Sequence, residues 1–113
     1  MNAKRKGDQG EREALRVLEA YGVPASRNQQ GPLAGHAGGL HNPDISFSWG
    51  GLSFHGEVKR CERLSVYEAM GQAAHDADVQ AISVVLHRRN CREWLAILRL
   101  DDFLKRFNEQ RKA

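Results

Sequence analysis

The chain has 113 residues, of which 41% are hydrophobic and 27% charged, proportions that suit one globular domain with a single modest core. No apolar run approaches the roughly 20 residues needed to span a bilayer, and the N-terminus carries no apolar signal core. Excess positive charge is small at +3, but 12 of the 17 basic residues are arginine, whose forked guanidinium matches phosphate oxygens. A solvated basic surface and a nucleic-acid partner therefore stand level on charge alone. The cytoplasm is the expected compartment, or the host-cell cytoplasm if the chain is virally encoded. Cys61 and Cys91 fit no zinc spacing and are expected reduced.

In chain order, residues 1–7 are basic and expected loose. Asp8 has the character of a helix N-cap, with Glu11 three positions later as in a capping box. A helix is predicted from Asp8 to Tyr21, ended by Gly22 and Pro24, with Ala14, Leu15, Leu18 and Tyr21 as its apolar stripe. Glu11 falls one helical step before Leu15 and so lies on the buried side. A short strand is predicted over Val23–Asn28. The glycine-rich segment Gln29–Asn42, with His36 and His41, reads as a long loop: either plain solvent-exposed chain or a substrate-contacting element.

Asp44–Trp49 and Leu52–Lys59 alternate polar and apolar residues about a Gly50-Gly51 turn, which predicts a hairpin. Pairing Trp49 with Leu52 sets Phe47 opposite Phe54 and Asp44 opposite Glu57. Two carboxylates opposed in a ladder repel, so a hairpin has little structural reason to carry them. A divalent cation between them turns the repulsion into a ligand set. Lys59, two residues past Glu57, projects from the same face. Trp49 beside the turn is open to two readings, core packing or exposed stacking.

A second helix is predicted over Leu64–Ala77, with Val66, Tyr67, Met70 and Ala74 buried. Gln72 on it is a surface residue or a site-facing one. Ala81–Leu86 is an apolar, β-branched run that reads as a central strand. Arg88-Arg89-Asn90 makes a turn, Trp94–Leu100 a further strand, and Asp101 caps a last helix carrying Phe103, Leu104 and Phe107. The order is α-β-β-β-α-β-β-α, an α/β domain with a mixed central β-sheet flanked by helices.

Hydrolysis of a phosphodiester needs an activated water, neutralised phosphate charge and a stabilised leaving oxygen, and Mg²⁺ can supply much of this. Mg²⁺ takes hard oxygens and keeps several waters. Asp44, Glu57 and the Val58 carbonyl form such a set, Glu11 can join it, and Lys59 can orient or deprotonate the water. Each residue alone has an ordinary structural reading; the combination is what points to this chemistry.

Pro43-Asp44 followed by Glu57-Val58-Lys59 resembles the signature of the PD-(D/E)xK nuclease superfamily. Lys6-Gly7-Asp8-Gln9-Gly10-Glu11-Arg12-Glu13 resembles the opening of archaeal-type Holliday junction resolvases, and Val23–Arg27 sits where that family has a strand ending in arginine. The resemblance covers about residues 4 to 87. It implies a restriction-endonuclease-like core. It implies that Glu11, Asp44 and Glu57 serve a Mg²⁺ site in which Mn²⁺ substitutes, and that Lys59 is catalytic. It further implies that Lys6, Arg12 and Arg27 contact DNA phosphates, with Arg60 and Arg63 as further candidates. The partner implied is four-way junction DNA, cut on opposed strands by a homodimer. Two alternatives remain: a nuclease of the same superfamily with a restriction-like or nicking target, and a DNA-binding module without catalysis.

Overall fold

The computed structural model describes residues 3–27, 44–76 and 80–112. Helix α1 (Ala3–Ala20) leads into strand β1 (Ala25–Arg27), followed by β2 (Ile45–Trp49), β3 (Leu52–Arg60), helix α2 (Val66–Asp76), β4 (Ile82–Arg88), β5 (Leu95–Ile97) and helix α3 (Leu100–Lys112). This is the element order read from the sequence. The expected loop Gln29–Asn42, with His36 and His41, lies outside the described residues.

The five strands form one sheet in the order β1-β2-β3-β4-β5. It is mixed: β3 and β4 run parallel and the other pairs antiparallel. Parallel neighbours need a crossover, and α2 supplies it across one face. On the opposite face α1 covers the larger core cluster, in which Ala14 packs with Ile45, Leu52, Phe54, Val58, Ile82, Val84 and Leu86. Phe107 of α3 packs against the same cluster. Beneath α2, Ala69, Met70 and Ala73 close over Val85. β4 is buried from Ile82 to His87, as a strand covered on both faces must be.

The hairpin has the expected register: Trp49 pairs with Leu52 and Phe47 with Phe54, whose rings stack with centroids 4.8 Å apart. Gly50 and Gly51 both adopt positive φ, +61° and +79°, which a two-residue hairpin turn of this twist requires.

Several elements differ from expectation. Helix α1 begins at Ala3, so 3–7 are helical rather than loose, and Asp8 is not its cap: its carboxylate pairs with Arg27 instead. Tyr21 lies past the helix end and is exposed. The buried face of α2 is Ala69, Met70 and Ala73, while Val66 and Tyr67 are exposed, Tyr67 by 92%. Small alanines let α2 sit close on the sheet, and the larger apolar side chains fall outside. Leu100 opens α3, whose first turn closes on the Arg99 carbonyl (Phe103 N–H to Arg99 O, 3.0 Å), so Arg99 rather than Asp101 is its N-cap. Trp49 is 58% exposed.

Candidate active site

The site lies where β2 leaves the sheet. Pairing of β2 with β3 stops at Ile45–Gly56, one step short of the expected Asp44–Glu57 pair. Beyond that point β3 runs on to Arg60 beside β4, and among the described residues no strand pairs with its edge toward β2. There the Asp44 carboxylate accepts the Val58 N–H at 2.8 Å. In an extended strand the N–H and C=O of one residue point to the same edge. The Val58 carbonyl therefore opens toward the side on which Asp44 sits.

Alternation along β3 sends Glu57 and Lys59 to the α2 face, while Val58 packs into the α1 core. Lys59 Nζ is 3.7 Å from Glu57 Oε1, and the Glu57 side chain is only 12% exposed. Across the parallel pair, Lys59 lies beside His87. His87 is buried, and its Nε2 donates to the Cys61 carbonyl at 2.9 Å. That bond fixes the chain as it leaves β3. The predicted strand stopped at Leu86 and the predicted turn began at Arg88, leaving His87 unassigned; only its place at the end of an apolar run signalled burial.

Glu11 arrives from α1. Its Oε1 accepts from Arg27 Nε at 2.5 Å, and Nη2 of the same guanidinium pairs with Asp8. Burial raises the Glu11 carboxyl above its usual value; the Arg27 hydrogen bond pulls it back, and the negative charge of Asp44 pushes it up again. Glu11 and Asp44 thus feel each other's charge, which places the helix carboxylate at the same end of the sheet as the β2 one.

Glu13, one residue beyond Arg12, is the link the sequence did not reveal. Its Oε1 accepts from Arg88 Nη1 at 2.7 Å on β4 and from Arg60 Nε at 3.4 Å on β3. Beneath it α1 approaches β3 closely: a Cβ on Gly10 would stand 2.7 Å from that of Arg60.

The candidate residues therefore divide. Glu11, Asp44, Glu57, Val58 and Lys59 gather at one end of the sheet, around the C-terminal part of β3. They do not form a ready-made cage: among the described residues no group of three or more His, Cys, Asp or Glu stands close enough to hold a metal ion. Glu11 is engaged by Arg27, Asp44 by the Val58 amide, and Glu57 lies beside Lys59. The donor set itself, carboxylates with one backbone carbonyl, is hard oxygen of the kind Mg²⁺ selects.

The arginines divide too. Arg27 and Arg60 are held in ion pairs within the chain, whereas Arg12 and Arg63 are exposed. Lys6 lies in α1, its side chain outside the described residues. Gln72 is on the surface of α2.

No protein-family model matches this sequence, and no curated protein does. A solved structure does match: Hjc, a Holliday junction resolvase from the archaeal hyperthermophile Archaeoglobus fulgidus. The two chains are 21% identical, and the match covers 81% of this chain and 76% of that one with a TM-score of 0.63. The chain has the Hjc fold. Within the Hjc fold the sheet, its parallel central pair and the flanking helices account for everything described above, and the carboxylates collect at the C-terminal end of a strand, where α/β folds commonly place their sites. No described helix is long and apolar enough to cross a membrane.

Proposed function

We propose that this protein is a metal-dependent endonuclease of the PD-(D/E)xK type that resolves four-way DNA junctions as a homodimer. The observation that carries the reading is the Asp44–Val58 hydrogen bond. It holds a carboxylate against the edge of β3 beyond the β2 pairing, immediately beside Glu57 and Lys59 in the strand. A DNA-binding module gains nothing from carboxylates gathered where a polyanion must approach.

Asp44, Glu57 and the Val58 carbonyl would hold a Mg²⁺ or Mn²⁺ ion, with Glu11 joining once Arg27 releases it. Bound there, the ion would neutralise phosphate charge and lower the pKa of a water. Lys59 is placed to orient that water or to stabilise charge developing on the phosphate, with Glu57 3.7 Å away keeping its ammonium directed at the site. Arg27, when displaced from Glu11, becomes available to a phosphate oxygen. Arg12 and Arg63, already exposed, serve the flanking backbone. Cutting two opposed strands requires two such sites, hence the dimer.

A synthetic four-way junction and a linear duplex of the same sequence, each incubated with Mg²⁺ or with EDTA, test this. Paired symmetric cuts in the junction alone, abolished by EDTA, are expected. Comparable cleavage of the linear duplex points instead to a restriction-like or nicking nuclease. Binding without cleavage, indifferent to metal, refutes the enzymatic reading.

A further inference from the structure

Arg27 stands between two tasks that exclude each other. Its Nε donates to Glu11 Oε1 at 2.5 Å, and its Nη2 pairs with Asp8. Asp8 and Glu11 are three residues apart on one face of α1, so a single guanidinium spans them. On β1, Arg27 lies opposite Ile45, the chain neighbour of Asp44. The charges of Asp44 and Asp8 both reach the Glu11 carboxylate. The arginine is thus at the border of the carboxylate site and holds one of its members.

Burial grades across these contacts. The side chains of Glu11, Arg27 and Asp8 are 15%, 31% and 42% exposed. The guanidinium lies between an inner carboxylate and an outer one, and part of it is open to solvent. The two pairs use only some of its N–H groups. A phosphate oxygen can therefore bond to Arg27 before Glu11 lets go, while Asp8 still holds Nη2. With Arg27 on Glu11, one cation already serves the carboxylates, and a divalent ion must compete with it. With Arg27 drawn onto a phosphate, Glu11 keeps a partly buried charge without its counter-ion, an arrangement that favours a new cation.

We propose that Arg27 is exchanged between Glu11 and a DNA phosphate, so that DNA and the metal ion each strengthen the binding of the other. The site is then charged for chemistry chiefly when a strand is seated on it. The inference rests on the nuclease reading above, but its first test needs neither metal nor cleavage. Junction binding is measured in EDTA. Glu11→Gln loosens the hold on Arg27 and should tighten binding about tenfold, the worth of one charge-assisted hydrogen bond. In an Arg27→Ala background the same substitution should change binding by less than about twofold. Calorimetry with Mn²⁺ in the absence of DNA is the second test. Arg27→Ala should bind Mn²⁺ about tenfold tighter than wild type. Arg12→Ala removes the same charge one residue from Glu11 without having held it, and should stay within about twofold of wild type. An arginine needed only for the fold would weaken Mn²⁺ binding when removed.

An equal gain from Glu11→Gln in both backgrounds overturns the proposal, because that gain is charge alone. So does an Arg27→Ala protein that binds Mn²⁺ no tighter than Arg12→Ala. If Arg27→Ala does not fold, Glu11→Gln is set against Asp44→Asn in EDTA. Each removes one carboxylate charge, but only the first frees an arginine, so equal tightening overturns the proposal. A wild-type chain that binds Mn²⁺ and cuts junctions, while its variants fail these tests, refutes the exchange and upholds the nuclease. One that binds no Mn²⁺ and cuts nothing refutes both.

Discussion

Substitution of Gly10 by alanine separates two opposed effects whose sizes the structure sets. In an exposed helix interior, glycine to alanine gains about 1 kcal/mol. At Gly10 the added Cβ would stand 2.7 Å from Arg60 Cβ, with Val58 Cγ1 at 3.5 Å behind it. Carbon atoms in ordinary contact sit about 3.5–4.0 Å apart, so the helix must lift from β3 by most of an ångström. Overpacking of this kind costs about 1–3 kcal/mol. The net expectation is a loss of about 1 kcal/mol, or ~4 °C in Tm for a domain of this size. Gly7 is the control on the same helix: nothing lies within 4 Å of its Cβ position, so Gly7→Ala should gain the full propensity term. Lifting α1 also displaces Glu11, the next residue, and a misplacement near 1 Å can cost ~100-fold in rate. Circular-dichroism melts and junction cleavage with Mg²⁺ measure both. A Gly10→Ala protein that matches Gly7→Ala in stability and cleaves at the wild-type rate would show that α1 is not seated on β3 as described.

Asp44→Asn should abolish cleavage while leaving the fold intact, because the amide carbonyl can still accept the Val58 N–H; gel-shift assays should show junction binding unchanged or tighter, and undiminished cleavage sinks the assignment. Lys59→Ala should lose cleavage yet retain Mn²⁺ binding by calorimetry, and loss of metal binding would move Lys59 from chemistry to scaffolding. Glu11 has its folded pKa raised above the usual 4.5, so the native state holds its proton more tightly than the unfolded chain and stability falls as pH rises from 4.5 through the folded value. Relative to wild type, Glu11→Gln should therefore gain stability between acidic and neutral pH in denaturant titrations; a difference flat with pH refutes this. Arg63→Ala should lower the salt dependence of junction binding by about one phosphate contact's share, whereas Arg60→Ala should lower stability and leave that slope alone; equal slopes for the two would show that Arg60 reaches DNA after all.

The hairpin was legible because three local signals agree: Gly50-Gly51 admits positive φ at both positions, alternation on both arms matches, and Phe47 meets Phe54. β4 was legible because six successive apolar or small residues have only one comfortable place, between two covered faces. The phase of α2 was not. Tyr67 and Val66 carry more apolar surface than Ala69 and Ala73, and counting surface puts them inside. Close seating on a sheet selects small residues instead, and only the tertiary distance reveals that.

The start of α1 was hidden for a related reason. Asp8 has the chemistry of a cap, but its partner Arg27 is 19 residues away, and nothing local distinguishes a carboxylate that caps from one that reaches across. The inward commitment of Arg27 and Arg60 was invisible on the same ground. At the candidate site, the nearness of Asp44, Glu57 and Lys59 in the hairpin followed from spacing, while the mode in which Asp44 is held did not: in place of the expected carboxylate pair stands a carboxylate–amide bond, because pairing of β2 with β3 ends at Ile45.

The ion pairs of α1 have a further consequence. Its acidic residues do not decorate the helix but reach across to the sheet: Asp8 and Glu11 to β1 through Arg27, and Glu13 to β3 and β4 through Arg60 and Arg88. These are partly buried pairs in which Arg27 and Glu13 each hold two partners, so removing either shared residue leaves two charges without their counter-ion. They therefore hold α1 in one position over the strands that carry Asp44, Glu57 and Lys59. They also draw three arginines out of the basic count. On the proposed function, DNA would then be met by the arginines left outside, Arg12 on α1 and Arg63 beyond β3, with Arg89 and Arg92 near the end of β4, all exposed. On the same reading, a chain with a formal charge of only +3 would bind a polyanion best with these acids neutralised internally and its exposed cations left for phosphate. The distribution of ion-pair partners, more than the net charge, is what the proposed function draws on.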